Sequence, residues 1–227
     1  MRIVVFTGAG VSAESGIKTF RDENGLWEGH DVMEVASPQG FHNDPELVLD
    51  FYNQRRAQLN EVDPNPAHIA IARLESHYDV TVVTQNVDDL HERAGSSDVV
   101  HLHGELKKAR SSGNEEFLIE IEGDIKLGEV CPQGFQLRPH VVWFGEAVPM
   151  MQRAAEIVSS AELLLVVGTS LQVYPAAGLI DYAPGDCRCI YVDPRPQISF
   201  ELQRRPHEVI AENAGTGVPQ IVEELLP

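Results

Sequence analysis

The sequence predicts an α/β fold: a Rossmann-like parallel sheet with helices on both faces, plus a small inserted module. Three observations carry that expectation. Short apolar, β-rich runs alternate with helical patterns along most of the 227 residues, the rhythm of strands joined by crossovers. A glycine turn, Gly8-Ala9-Gly10-Val11-Ser12-Ala13, follows the first apolar run directly and matches the looser G-x-G-x-x-A dinucleotide fingerprint. One polar, glycine-containing stretch, 105–140, breaks the rhythm.

The elements follow in order. Ile3–Phe6 is the first strand. Gly8 and Gly10 then permit a tight turn and a close backbone approach to a ligand, and Ala13 is small enough for a following helix to pack near the strand. Free backbone N–H groups and the positive end of that helix favour a pyrophosphate. A plain glycine turn between strand and helix would look the same. Further strands are expected at Val80–Thr84, Val99–His101, Leu163–Val167 and Cys189–Val192. Asp44-Pro45 reads as an N-cap with proline at the first helical position, opening a helix to about Leu59. Asn65-Pro66 repeats the signal, for a helix to about His77. A third helix begins near Val87 and stops at Gly95, and Pro219–Leu226 reads as a short last helix. Residues 17–43 carry scattered Gly, Pro, Asp and His and are expected to cover a ligand. An alternating patch, Phe117-Leu118-Ile119-Glu120-Ile121, marks 105–140 as a small β module. The Rossmann-like part is thus expected at 1–16, 44–104 and 141–227. A module with so few apolar side chains needs an extra source of stability.

Composition narrows the partners. The chain has 35 acidic and 17 basic residues, a formal net charge of -18. Such a surface repels nucleic acid and anionic membrane and attracts basic, lysine-containing partners, although solubility alone would explain it. Three cysteines, Cys131, Cys187 and Cys189, are no disulfide framework. No apolar stretch reaches membrane-spanning length, and no signal peptide precedes the first strand. A cytoplasmic monomer is expected.

Five segments occur in order: GAGVSAESGIKTFRD (8–22), TQNVDDLHERAG (84–95), HLHGE (101–105), RPHVVWFGE (138–146) and GTSLQVYPAAG (168–178). Together they resemble the sirtuin family of NAD-dependent protein-lysine deacylases. The resemblance runs from near Met1 to about Asp193 and weakens in the module and the C-terminal tail. It implies NAD as cofactor and acylated-lysine proteins or peptides as partners, meeting in a cleft between the Rossmann-like domain and the module.

The resemblance also assigns residues. Gly8, Ala9, Gly10, Ser12 and Ala13 form the cofactor loop. Arg21 contacts cofactor phosphate, for which a guanidinium is suited, and Phe20 shields the reacting ribose. Gln85, Asn86 and Asp88 stand where a strand gives way to a helix, the carboxyl end at which open α/β sheets bind ligands. The resemblance places Asn86 and Asp88 around the nicotinamide ribose and amide; either side chain could also simply cap the helix. Gly168, Thr169 and Ser170 fall on the adenosine side. His103, before Gly-Glu, is the implied catalytic base, a role that a neutral imidazole suits. It activates a ribose hydroxyl after the acyl oxygen has displaced nicotinamide, and water then releases free lysine and O-acyl-ADP-ribose. His101 and His68 read as structural. Val141, Val142, Phe144 and Gly145 look like the strand along which a substrate peptide lies, by edge addition; an ordinary buried strand is the alternative.

Tyr52 and Arg55 lie three apart on the helix from Pro45 and share a face. A buried arginine needs an anionic partner, and a succinyl, malonyl or glutaryl group supplies one. FYNQRR resembles the sirtuin branch that removes acidic acyl groups, and Ala36 is small where that branch leaves room. The alternative is a surface arginine beside a half-buried tyrosine.

Two features depart from the family. The two Cys-x-x-Cys pairs that usually hold a structural zinc are missing: Ser111 and Ser112 stand where the first pair begins, and the second region keeps only Cys131. No metal is expected, and Phe117, Leu118, Ile119 and Phe135 are expected to hold the module. Tyr191 also replaces a frequent Asn near the adenosine. Three rival functions remain. ADP-ribosyl transfer or NAD hydrolysis would use the same cofactor residues. A non-catalytic NAD-responsive module is the second, against which Asn86, Asp88 and His103 argue. A hydride-transferring oxidoreductase is least favoured, because no acidic ribose partner stands about twenty residues past the glycine turn.

Overall fold

Runs of buried β-branched and leucine side chains build a six-stranded parallel sheet. The computed structural model describes residues 1–18, 26–27, 29–114 and 116–227. Phe20 and Arg21 lie outside the described residues. In chain order the strands are β1 (Arg2–Thr7), β2 (Leu26–Trp27), β3 (His30–Asp31), β4 (Asp79–Thr84), β5 (Val99–His101), β6 (Gly104–Ser111), β7 (Leu118–Glu120), β8 (Leu137–Val141), β9 (Leu163–Val167), β10 (Arg188–Val192) and β11 (Glu208–Ile210). The helices are α1 (Val32–Val35), α2 (Pro38–Asn43), α3 (Pro45–Leu59), α4 (Pro66–Arg73), α5 (Leu90–Ala94), α6 (Met151–Val158), α7 (Phe200–Gln203) and α8 (Ala214–Leu225).

The large sheet runs β11-β10-β9-β1-β4-β5, every neighbouring pair parallel. Both faces are covered, so its central strands read as continuous apolar runs. Successive side chains point to opposite faces. Val4, Phe6, Leu164 and Val166 meet Ala154 and Val158 of α6 and the 3₁₀ segment Ala176–Tyr182. Ile3, Val5 and Leu165 meet Ala67 and Ile71 of α4 and Val218 and Ile221 of α8. All five expected strands belong to this sheet. The sixth, β11, is an edge strand with no fully buried residue, which leaves no apolar run to read.

Helix ends follow their caps. Asp44 Oδ1 accepts from Leu47 N–H at 2.9 Å, with Pro45 at the first helical position. Asn65 caps α4 in a capping box with His68, and Gly95 closes α5 at φ 108°. Three helix bounds differ from expectation. Helix α4 ends at Arg73, and a 3₁₀ turn, Leu74–Ser76, continues to the expected His77. The third helix starts at Leu90, not near Val87. The last starts at Ala214, and Pro219 sits inside it. Burial of Ala214, Gly217 and Val218 draws the helix upstream, at the cost of the one backbone bond that proline cannot donate.

The second sheet is antiparallel, with β6 between β7 and β8. Helix α3 packs on it, joining Leu49 to Ala109 and Ile125, with Ile119 and Leu137 alongside. Leu118 and Phe135, expected to hold this module, are 45% and 46% exposed. Ile119 does pack in this cluster, and a polar clasp adds to it. Arg56, on α3 and 2% exposed, donates Nε–H to Leu106 O (2.7 Å) and Nη1–H to Asn53 Oδ1 (2.9 Å) and Gly123 O (3.2 Å). Asn53 in turn donates to Ile125 O and accepts from Ile125 N–H, both at 2.9 Å.

Candidate active site

Strand β1 has β4 on one side and β9 on the other, so chain direction across the sheet reverses there. Ligands of open α/β sheets bind in the crevice that such a reversal opens at the carboxyl ends. Gly8 N–H donates to Val167 O (3.1 Å) and Gly10 N–H to Gly168 O (2.7 Å). A Cβ on Gly8 would stand 2.7 Å from Thr169 Cβ, and one on Gly10 2.7 Å from Gly168 Cα. The two loops are therefore in backbone contact and tolerate no side chain at either glycine. After Gly8 come two 3₁₀ turns, Ala9–Val11 and Ala13–Ser15, where an α-helix was expected. The glycine turn is therefore not followed by an α-helix with its macrodipole. Ala13 is exposed and borders the cleft, so its expected helix-packing role is corrected.

The cleft that begins at this cradle has a volume of about 510 Å³. Every described residue singled out for cofactor or substrate lines it: Gly8, Ala9, Gly10, Ser12, Ala13, Ala36, Tyr52, Arg55, Gln85, Asn86, Asp88, His103, Val141, Val142, Phe144, Gly145, Gly168, Thr169 and Ser170.

Below the cradle, Ser12 is a hydrogen-bond hub. Its Oγ donates to Asp88 Oδ2 and accepts from Asn86 Nδ2–H, each at 3.0 Å. His68 Nδ1 accepts from Asn65 N–H at 3.3 Å. The proton of this imidazole therefore sits on Nε2, 3.4 Å from Ser12 Oγ. Burial lowers the His68 pKa to about 4, so the ring stays neutral. Asp88 Oδ1 accepts from Leu90 N–H at 3.2 Å, which makes it a helix cap and a cleft residue together. Burial raises its pKa to about 6, against the opposing pull of Leu90 N–H and Ser12. His68 stands where a structural histidine was expected. Its contact with Ser12 ties it to the site, and only the fold brings the two together.

Gln85 Nε2 donates to Thr169 Oγ1 at 3.0 Å and joins the two cleft walls. His103 Nδ1 lies 3.0 Å from Gln85 O. A carbonyl only accepts, so Nδ1 carries the hydrogen and Nε2 keeps its lone pair. Burial lowers the His103 pKa, with the Gln85 bond opposing. His101 differs: Nδ1 meets Asn86 O at 2.9 Å and Nε2 meets Glu92 Oε1 at 2.7 Å. Burial alone would lower its pKa, but the Glu92 carboxylate outweighs burial and raises it.

At the far end, Tyr52 is fully buried and accepts from Trp143 Nε1–H at 3.0 Å. Arg55 Cζ is 5.4 Å from the centroid of the Phe51 ring. Ala36 O accepts from Phe144 N–H, and His103 O from Val142 N–H, at 2.9 and 2.8 Å. Strand β8 stops at Val141. Residues 142–146, expected as strand, are irregular and close a turn over Trp143–Glu146, where Glu146 N–H donates to Trp143 O at 3.0 Å and Gly145 has φ 90°. The physical cause is Glu146, whose Oε2 accepts from Trp143 N–H at 2.8 Å and curls the chain back. Arg138 and Arg110 each donate to both Glu146 oxygens at 2.7–3.1 Å. Burial would raise the Glu146 pKa, but these bonds overcome it and hold it low. Trp143, Arg138 and Glu146 were legible within RPHVVWFGE, yet nothing in that string shows that they contact one another.

The three cysteines are free and buried. Ser111 Oγ donates to Cys131 Sγ at 3.3 Å. Among the described residues no group of three or more His, Cys, Asp or Glu could hold a metal ion. Tyr191 is fully buried, and its hydroxyl donates to Thr169 O at 2.7 Å. Among the described residues no helix is long and apolar enough to cross a membrane.

Comparison with known proteins agrees with this geometry. The Sir2 family model matches residues 8–175. Two Helicobacter pylori proteins named NAD-dependent protein deacylase are similar. One is 58% identical over 85% of this chain and 84% of its own length; the other is 53% identical over 99% and 95%. A Sir2 homologue–NAD complex superposes with TM-score 0.87 at 39% identity, covering 99% of this chain and 89% of that one. Sir2Tm bound to a propionylated peptide superposes with TM-score 0.80 at 28% identity, covering 98% and 92%. The chain belongs to the Sir2 family.

Proposed function

We propose that this chain is an NAD-dependent protein-lysine deacylase that removes acetyl and acidic acyl groups such as succinyl or malonyl. One observation carries the reading: His103, with its Nε2 lone pair available, borders the same cleft as the Gly8–Gly10 cradle and the Asn86–Asp88 pair. The relatives named NAD-dependent protein deacylase, and the Sir2 structures with NAD and with a propionylated peptide, support it.

Bound NAD would supply an electrophilic ribose carbon to the acyl oxygen, with nicotinamide as the leaving group. The chain's own residues do the rest. The close-packed loop at Gly8 and Gly10 leaves room for the pyrophosphate, and the family resemblance gives Arg21 to the phosphate and Phe20 to the ribose. Gly168, Thr169 and Ser170 border the adenosine. Asn86 and Asp88, fixed through Ser12, orient the ribose and carboxamide; a carboxylate and an amide together offer both acceptors and donors. His103 Nε2 takes a proton from a ribose hydroxyl. Val141, Val142, Phe144 and Gly145 receive the peptide backbone, and Ala36 leaves room for the acyl chain. Arg55 and Tyr52, both lining the cleft, meet the distal carboxylate of an acidic acyl group through a charge-assisted hydrogen bond.

The chain is proposed to act as a cytoplasmic monomer on basic protein surfaces, without binding nucleic acid or membrane. Incubation with NAD and paired acetyl and succinyl peptides, followed by mass spectrometry, tests the reading. Nicotinamide, free lysine peptide and O-acyl-ADP-ribose in equal amounts are expected. ADP-ribosylated protein, or ADP-ribose formed without peptide, would instead indicate transfer or hydrolysis.

A further inference from the structure

Tyr52 is fully buried and still borders the cleft. Among the described residues its hydroxyl has one hydrogen-bond partner, Trp143 Nε1, at 3.0 Å. An indole N–H can only donate. The phenol oxygen is therefore the acceptor in that bond, and its own hydrogen points elsewhere. Phe51 and Trp27 flank the ring edge-on at 5.1 and 6.0 Å between centroids, and neither offers an oxygen. Tyr52 also lines the cleft, a direction open to that hydrogen.

Trp143 is itself immobilised. The Arg138 guanidinium lies 3.3 Å from the centroid of its ring, and its backbone N–H is held by Glu146 at 2.8 Å. The indole is thus a fixed donor aimed at one atom. Burial raises the Tyr52 pKa, so the phenol keeps its hydrogen at working pH.

We propose that Trp143 is a specificity-determining positioning residue: its indole N–H orients the Tyr52 hydroxyl as a donor toward a carboxylate-tipped acyl group in the cleft. This rests on the acidic-acyl reading above. An acetyl group ends in a methyl that accepts nothing, so the orientation matters only for a substrate with a distal oxygen.

The test compares kcat/KM on succinyl and acetyl peptides of one sequence. The variants are Trp143→Phe, Tyr52→Phe, the double variant and Arg55→Met. A further variant carries benzothienylalanine at 143, which exchanges the indole N–H for sulfur and keeps the ring shape. The benzothienylalanine protein is expected to lower the succinyl-to-acetyl ratio about tenfold, as a lost bond to a charged group does. Tyr52→Phe is expected to lower it equally, with no further loss in the double variant. Equal losses on both substrates at position 143, or independent losses in the double variant, would overturn the proposal. Arg55→Met separates the two ideas. If it loses succinyl activity selectively while the 143 variants do not, only the Trp143 role fails. A wild-type protein that removes no succinyl group, or an Arg55→Met ratio that stays unchanged, removes the acidic-acyl reading and this proposal with it.

Discussion

His103 donates its Nδ1 hydrogen to the carbonyl oxygen of Gln85 across 3.0 Å, so one ring nitrogen fixes the tautomer and the other keeps its lone pair. Gln85 itself reaches Thr169 on the opposite cleft wall. The imidazole is thereby tied to the frame that lines the cleft.

Replacing His103 by alanine is expected to lower turnover by about 10²–10⁴-fold, the usual weight of a general base. NAD binding, measured calorimetrically, is expected to persist, because the cradle residues do not touch this side chain. Wild-type turnover in that variant would contradict the assigned role. Because burial holds the His103 pKa below its ordinary value of 6.5, the imidazole stays neutral at pH 7. The acid limb of kcat/KM attributable to this base is expected below pH 6.5.

Arg55→Met is expected to reduce desuccinylation about a hundredfold or more while reducing deacetylation only severalfold, since a site built around a polar partner discriminates strongly when that partner is lost. Paired peptide assays read the two values side by side.

Asp88 carries a pH signature in stability. Its folded pKa, about 6, lies above the ordinary 3.8. The folded state therefore holds the proton more tightly, and this group's stabilising contribution is complete below pH 3.8 and lost as pH rises to about 6. The loss is of the order of 3 kcal/mol. Asp88→Asn removes it, so the variant's gain in Tm is expected to be larger at pH 8 than at pH 4, while nicotinamide release falls. His68 works in the opposite sense. Its pKa is lowered to about 4, so its contribution is present above pH 6.5 and lost as pH falls toward 4. A His68→Gln protein is expected to lose less stability across that acid window.

The small module gives a metal prediction. Chelation with EDTA is expected to leave Tm and activity unchanged, whereas a zinc-dependent fold would collapse. Arg56→Met is expected to cost about 2–4 kcal/mol, because it strips partners from the buried Leu106 carbonyl, the Gly123 carbonyl and Asn53. Denaturant melts of that variant check the value.

Much of the frame was legible because β1, β4, β9 and β10 bury both faces and leave unmistakable apolar runs. Caps at Asp44, Asn65 and Gly95 placed helix ends for the same reason: each is a local bond between near neighbours. What failed is non-local. Helix α8 begins before Pro219 because burial overrides a local breaker. The turn at Trp143–Glu146 depends on Arg110 and Arg138, which stand 36 and 8 residues away from Glu146. Phe135 was expected to hold the module and is exposed, while Arg56, which no local pattern singles out, is a buried clasp. The cleft residues were legible through five ordered motifs, but the Ser12–His68 contact joins positions 56 apart and only the fold reveals it.

The most direct measurement of the central claim is the product balance of one reaction: protein, NAD and an acylated-lysine peptide, quantified by mass spectrometry. Nicotinamide release that requires the peptide, matched mole for mole by O-acyl-ADP-ribose and lost in His103→Ala, is the predicted result. Nicotinamide release that is indifferent to the peptide, or no release at all, would contradict it.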